Sequence, residues 1–158
     1  MRKLFLTLFY SGKSHVAPGT MGSLLALIIG APILYFSAET LFLLAIFIGI
    51  IAVKQIDLDE KNGGTHDDKS IVIDELVGLW LAMGMAGFSL VGIFLAFGFF
   101  RLYDIWKPSY IGKIDREITG GLGVVGDDAL AGLLAGISTL IIIKILSYTE
   151  IDLNCGLF

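Results

Sequence analysis

Carboxylates stand at the ends of the apolar segments of this chain. Asp74-Glu75 heads an apolar run over residues 76–88, Asp104 follows the run 90–100, and Asp127-Asp128 heads the run 129–143. A charged group beside hydrocarbon is costly, so ionisable residues in such positions are candidates for function. Carboxylates gathered in one place repel one another unless a cation holds them. Hard divalent ions such as Mg²⁺ take oxygen ligands and keep positions open for water and substrate phosphates. The chemistry these residues point to is a metal site at a membrane surface.

Basic residues accompany the acidic ones. Arg101, Asp104 and Lys107 are spaced by three, so one helix face carries plus, minus, plus. That pattern fits a snorkelling salt-bridge ladder. It fits equally two cations for a phosphate and a carboxylate for a metal. Pro108 ends the helix beyond Lys107, and Asp115-Arg116 in the following loop offers a further ligand or clamp. Upstream, Ala17-Pro18-Gly19-Thr20-Met21-Gly22-Ser23 precedes an apolar helix. Pro18-Gly19 makes a turn, Thr20 or Ser23 is expected to cap the helix, and free backbone N–H groups there favour an anion. Asp67-Asp68 ends a loop, and Asp67 approaches Asp74 or Glu75 only if the chain turns. Acidic residues at a helix start are also ordinary dipole partners. That explains Asp67 and Asp68, but not Asp74-Glu75, because the apolar stretch begins before them. The glycines at 120, 121, 123 and 126 permit close backbone approach ahead of Asp127-Asp128. They follow no expected strand, so they are not a dinucleotide fingerprint. His15 and His66 have no partner at metal-ligand spacing. Cys155, alone, forms no internal disulfide, and no Gly-x-Ser-x-Gly elbow is present.

The elements that must position these residues are apolar helices. The chain has 158 residues, the size of one domain over 1–158. It is 56% hydrophobic and 16% charged with mean hydropathy +0.85, where a soluble domain carries roughly 25% charged residues. This composition predicts an all-α integral membrane helical bundle. The net charge of −4 comes without a basic patch, which excludes nucleic acid as a partner. Apolar runs at 24–36, 41–53, 76–88, 90–100 and 129–143 predict four to five short transmembrane helices. Each run is shorter than the roughly 20 residues of an ideal span, but helices extend into flanking residues and bilayers thin locally. Extents of 70–86 and 89–104 are expected for the middle pair. Residues 4–10 read as a retained, partly amphipathic interfacial segment rather than a cleaved signal. Of the eleven Lys and Arg residues, all but Lys144 lie near the N-terminus or in the stretches 54–74 and 101–128. The positive-inside rule places all three on the cytoplasmic side. Two hairpins and a last helix follow from this. A single long helix over 76–100 would instead separate the carboxylates, but Gly84, Gly87 and Ser89 favour a turn.

Taken together, the four motifs resemble the phosphatidylglycerophosphatase A family. The matching pieces are PGTMGSL at 18–24, IVIDELVG at 71–78, FRLYDIWKP at 100–108 with IDR at 114–116, and GDDALAG at 126–132. Asp67-Asp68 stands where the family often has Asp-Pro, and Val124-Val125-Gly126 where a methionine-containing run is usual. The resemblance implies a Mg²⁺-dependent lipid phosphatase of the bacterial inner membrane, multi-pass, with its site facing the cytoplasm. It would remove the terminal phosphate of phosphatidylglycerophosphate to give phosphatidylglycerol. On this reading Asp67, Asp74, Glu75, Asp104, Asp127 and Asp128 form the pool of Mg²⁺ ligands. Arg101 and Lys107 hold phosphate oxygens, arginine in a bidentate fork, with Thr20 and Ser23 as further substrate contacts and Asp115 as a further catalytic candidate. Glu75 is either a metal ligand or the base for a water. The Asp-x-Asp-x-Thr pattern of phosphoaspartyl phosphatases is absent. The rival class is a transporter whose carboxylates carry H⁺ or a cation. It expects charges near the middle of the spans, whereas here they sit at segment ends.

Overall fold

The structure is a computed structural model that describes residues 2–13, 17–63, 68, 70–107 and 118–148. Six helices carry these residues: α1 (Arg2–Leu6), α2 (Pro18–Phe36), α3 (Ala38–Lys61), α4 (Ile73–Ala86), α5 (Leu90–Trp106) and α6 (Gly121–Tyr148), with a 3-10 turn at Ser11–Lys13. Among the described residues there is no strand, as the all-α expectation requires. α2, α3 and α6 are long and apolar enough to cross a membrane. α4 and α5 are shorter, at 14 and 17 residues.

Local chemistry sets the breaks. α2 opens on Pro18, whose missing N–H costs nothing in a first turn. The residue before it, Ala17, provides no side-chain cap. Thr20 and Ser23 therefore lie within the helix and are not its caps, contrary to the sequence expectation. Ser37 is extended (φ −164°) and serves both neighbours. Its N–H donates to the Ile33 carbonyl at 3.0 Å, and its hydroxyl accepts from the Thr40 N–H at 3.0 Å. α4 stops at Gly87, which adopts φ +73°, a region open to glycine. The Ser89 hydroxyl then caps α5 by accepting from the Gly92 N–H at 2.9 Å. The long single helix over 76–100 is thereby excluded. The two short turns lie together, with the Tyr35 and Phe88 rings edge to face at 5.1 Å.

α4 begins at Ile73 rather than at residue 70. The N-terminal segment holds the chain just before it, because the Val72 N–H donates to the Leu6 carbonyl at 3.0 Å. In that segment Leu6 and Leu8 are buried while Phe9 and Tyr10 are exposed. At the other end, α6 begins at Gly121, so Asp127-Asp128 lie in its second turn and not at its start.

α4 is the centre of the bundle and packs on α2, α3, α5 and α6. Every residue from Leu76 to Met83 is buried, as expected of a helix apolar all round. Small residues let the backbones approach. A Cβ on Gly132 would overlap the Gly78 carbonyl, and one on Gly78 the Asp128 carbonyl. Against α2, the Trp80 indole donates to the Ala26 carbonyl at 2.8 Å, and Gly30 leaves room for the ring. Large apolar side chains such as Phe36, Phe47, Phe94 and Ile105 face outward.

Candidate active site

Helix direction brings the motifs together. The starts of α2, α4 and α6 and the end of α5 meet at the end of the bundle opposite the two short turns. Six carboxylates, Asp68, Asp74, Glu75, Asp104, Asp127 and Asp128, line one cleft there with Lys107, in a volume of about 220 Å³. Asp127 and Asp128 are buried, at 5% and 4% exposure, so water screens them little.

Glu75 sits in a gap made by glycine. Gly19 and Gly22 are three apart on one face of α2, and a Cβ at either would run into the Glu75 carboxylate, 2.6 Å from Oε2 in the case of Gly22. Ser23, one residue on and fully buried, has its hydroxyl 3.3 Å from Glu75 Oε2 and 2.9 Å from the Gly19 carbonyl. The same hydroxyl accepts from the Arg101 guanidinium at 3.3 Å. Arg101 bonds Asp104 at 2.6 Å, stands 3.7 Å from Glu75, and reaches Thr20 Oγ1 at 3.4 Å. Arg101 thus ties the N-terminal turns of α2 and α4 to α5. In this arrangement Arg101 and Ser23 orient two carboxylates of the cleft, and neither lines the cleft itself.

Lys107 ends α5 in a left-handed conformation, φ 42°, that turns it into the cleft. Its ammonium lies 2.8 Å from Asp127 Oδ2. Among the described residues neither Asp74 nor Asp128 has an ion-pair partner. Asp128 feels the charges of Asp74, Asp104, Asp127 and Glu75 together. Such a surplus of buried negative charge calls for a cation.

The donor set is all oxygen, which suits Mg²⁺. Among the described residues no three acidic or histidine side chains converge on one point at ligating distance. The structure thus brings Asp74, Glu75, Asp104, Asp127, Asp128 and Lys107 into one cleft, with Arg101, Ser23 and Thr20 behind it. Asp67, Asp115, His15, His66 and Cys155 lie outside the described residues.

Three residues carry more than the sequence reading assigned to them. Asp68, read there as a helix-dipole partner, lines the cleft, although its Oδ1 also accepts the Ser70 N–H at 3.0 Å. Gly19 and Gly22 appeared as turn and cap surroundings. Their spacing of three was the one signal that both face the same neighbour.

Fold and site define a helical bundle, apolar outside, with an acidic cleft at one end. The family model for phosphatidylglycerophosphatase A matches residues 4–143. A phosphatidylglycerophosphatase A of Escherichia coli is 39% identical over 80% of this chain and 74% of its own length. That of Haemophilus influenzae is 37% identical over 80% of this chain and 79% of its own. A putative phosphatidylinositol-3-phosphatase of Bacteroides thetaiotaomicron is 37% identical over 79% of the chain and 82% of its own length. No solved structure matches. The chain belongs to the phosphatidylglycerophosphatase A family and is, as such, a phosphatase.

Proposed function

We propose that the chain hydrolyses the terminal phosphate of phosphatidylglycerophosphate, giving phosphatidylglycerol, with Mg²⁺ as its cofactor. The reaction takes place at the cytoplasmic face of a bacterial inner membrane. The observation that carries this reading is the single cleft in which six carboxylates and Lys107 meet at one end of the bundle. The names of the E. coli and H. influenzae relatives support the substrate.

Phosphoryl transfer asks a protein mainly for positioning and charge neutralisation. Asp74 and Asp128, which have no ion-pair partner among the described residues, are the residues that would hold Mg²⁺, with Asp104 and Asp127 beside them. The ion would supply positive charge against the phosphate oxygens. Lys107 points into the same cleft and meets the phosphate directly. Arg101 keeps Asp104 and Glu75 in place and lends its charge from behind. The Glu75 carboxylate, held by Ser23 on one oxygen, accepts the proton of the attacking water while the P–O bond to the glycerol oxygen breaks, and that oxygen leaves as the lipid alcohol with a proton from solvent. The acyl chains stay in the bilayer, beside the apolar outer faces of α2 and α5. Asp67 and Asp115, both outside the described residues, remain in the proposed ligand and catalytic pool.

Cation or proton transport would place ionisable groups along the spans. The buried carboxylates among the described residues gather at one end instead. Phosphate release from short-chain phosphatidylglycerophosphate in detergent, with and without Mg²⁺, tests the proposal. Phosphatidylinositol 3-phosphate is the control for the headgroup. Release from neither lipid would remove the hydrolase reading, and preference for the inositol lipid would move the substrate.

A further inference from the structure

α6 carries Asp127 and Asp128, yet its first turn has no acidic residue of its own. Another helix supplies the missing acceptor. The Gly121 N–H donates to Asp57 Oδ1 on α3 at 2.7 Å, across 64 residues of sequence. The local backbone is shaped around that bond. Gly120 adopts φ +80°, and a Cβ there would stand 2.8 Å from the same Asp57 oxygen. A Cβ on Gly121 would overlap the Val53 carbonyl, so α6 begins in direct backbone contact with α3. A carboxylate at this place also faces the positive end of the helix dipole.

A second fixed point lies downstream. Gly132 rests on the Gly78 carbonyl, and Gly78 rests on the Asp128 carbonyl. α6 is therefore held once before its aspartates and once at and beyond them. Helix geometry converts a slip of one residue into about 1.5 Å of axial shift and about 100° of rotation. Two anchors suppress both motions, and one anchor leaves the first turns free to swing. In the present register Asp127 meets Lys107 at 2.8 Å.

We propose that Asp57 is a positioning residue. By accepting from Gly121 it sets the register of Asp127 and Asp128 over the cleft, although Asp57 itself lies outside the cleft. This rests on the hydrolase reading above for its catalytic consequence, but not for the anchoring itself.

The test compares Asp57→Ala with Asp57→Asn, which keeps an acceptor for Gly121, in the full chain in detergent. Three quantities are measured: turnover of short-chain phosphatidylglycerophosphate against Mg²⁺ concentration, Mn²⁺ binding by electron paramagnetic resonance, and hydrogen exchange over residues 121–126. For Asp57→Ala, kcat should fall by about tenfold or more with KM little changed. Half-maximal activity should need more Mg²⁺, Mn²⁺ should bind more weakly, and exchange should quicken. Asp57→Asn should restore exchange and most of the turnover. If Asp57→Ala does not fold, Asp57→Ser, too short to reach Gly121, carries the same expectations. Wild-type exchange and wild-type Mn²⁺ binding in the alanine variant would overturn the inference. So would equal losses in the alanine and asparagine variants that follow a lowered melting temperature. A wild-type protein that hydrolyses no lipid would remove the hydrolase reading alone. Exchange and Mn²⁺ binding would still decide whether Asp57 positions the aspartates.

Discussion

Arg101 shows how one side chain can tie together the elements of a site. Its guanidinium contacts Asp104, Glu75, Ser23 and Thr20 from three helices. A lysine keeps the charge but loses the planar fork that serves several partners at once. Arg101→Lys should therefore lower kcat by about tenfold or more, as loss of an orienting partner of metal ligands does. Steady-state kinetics on the lipid checks this, and unchanged kcat and KM would reduce Arg101 to a snorkelling charge. Gly19 makes the complementary case, because its importance lies in what it leaves empty. Gly19→Ala puts a methyl group into the Glu75 carboxylate. It should cut turnover while moving the melting temperature little, since the obstructed group is the end of a side chain. A fully active Gly19→Ala protein would show that Glu75 need not occupy that gap.

At the scale of elements, the site depends on how closely α4 approaches α2 and α6. The Gly78–Gly132 contact is backbone on backbone, so nothing flexible can yield to an added methyl group. Gly132→Ala should push α6 from α4, separating Asp128 from Asp74, at a stability cost of about 1–3 kcal/mol. Thermal unfolding in detergent and turnover should fall together. Toward α2, Trp80→Phe removes the donor to the Ala26 carbonyl and should cost roughly 1 kcal/mol, seen as a lower melting temperature with the lipid KM unchanged. The two substitutions differ because only the first moves a residue of the cleft.

For the whole molecule, the decisive property is that, among the described residues, the helix ends flanking the two charged stretches lie at one end of the bundle and both short turns at the other. Placed in a membrane, that geometry gives the stretches 54–74 and 101–128 a common compartment. The positive-inside rule, applied to the distribution of lysine and arginine, predicts the cytoplasm for that compartment. Single cysteines at Gly64, Ser109 and Ser89 in a Cys155→Ser background report this through an impermeant thiol reagent on intact cells. Labelling is expected at Ser89 alone. Labelling at Gly64 but not at Ser109 would set the two charged stretches on opposite faces and end the single-site mechanism. The surplus of carboxylates over cations in the cleft gives a further expectation. Exhaustive chelation should abolish turnover and Mg²⁺ restore it, whereas full activity without any divalent ion would sink the metal reading.

Much of this was legible along the chain, because hydrophobicity and charge are local properties. The apolar runs marked the helices, Gly87 and Ser89 marked a turn, and charged residues at segment ends marked the lining of the cleft. A continuous helix over 76–100 was rejected on the same local grounds. Boundaries were less legible, because they depend on what the backbone groups find to bond. α4 starts late, since Val72 is bonded to Leu6, and α6 starts early, since Gly121 finds Asp57. The difference between a residue that lines the cleft and one that stands behind it was not legible at all. Ser23 and Arg101 read as phosphate contacts, yet Ser23 is buried between Glu75 and the guanidinium. Asp57 gave no sign of its bond to the start of α6. Local sequence determines what each segment is made of and which face it must hide. Only tertiary packing decides which polar atoms meet, because hydrogen bonds between residues tens of positions apart exist only after helices have met at particular distances and registers.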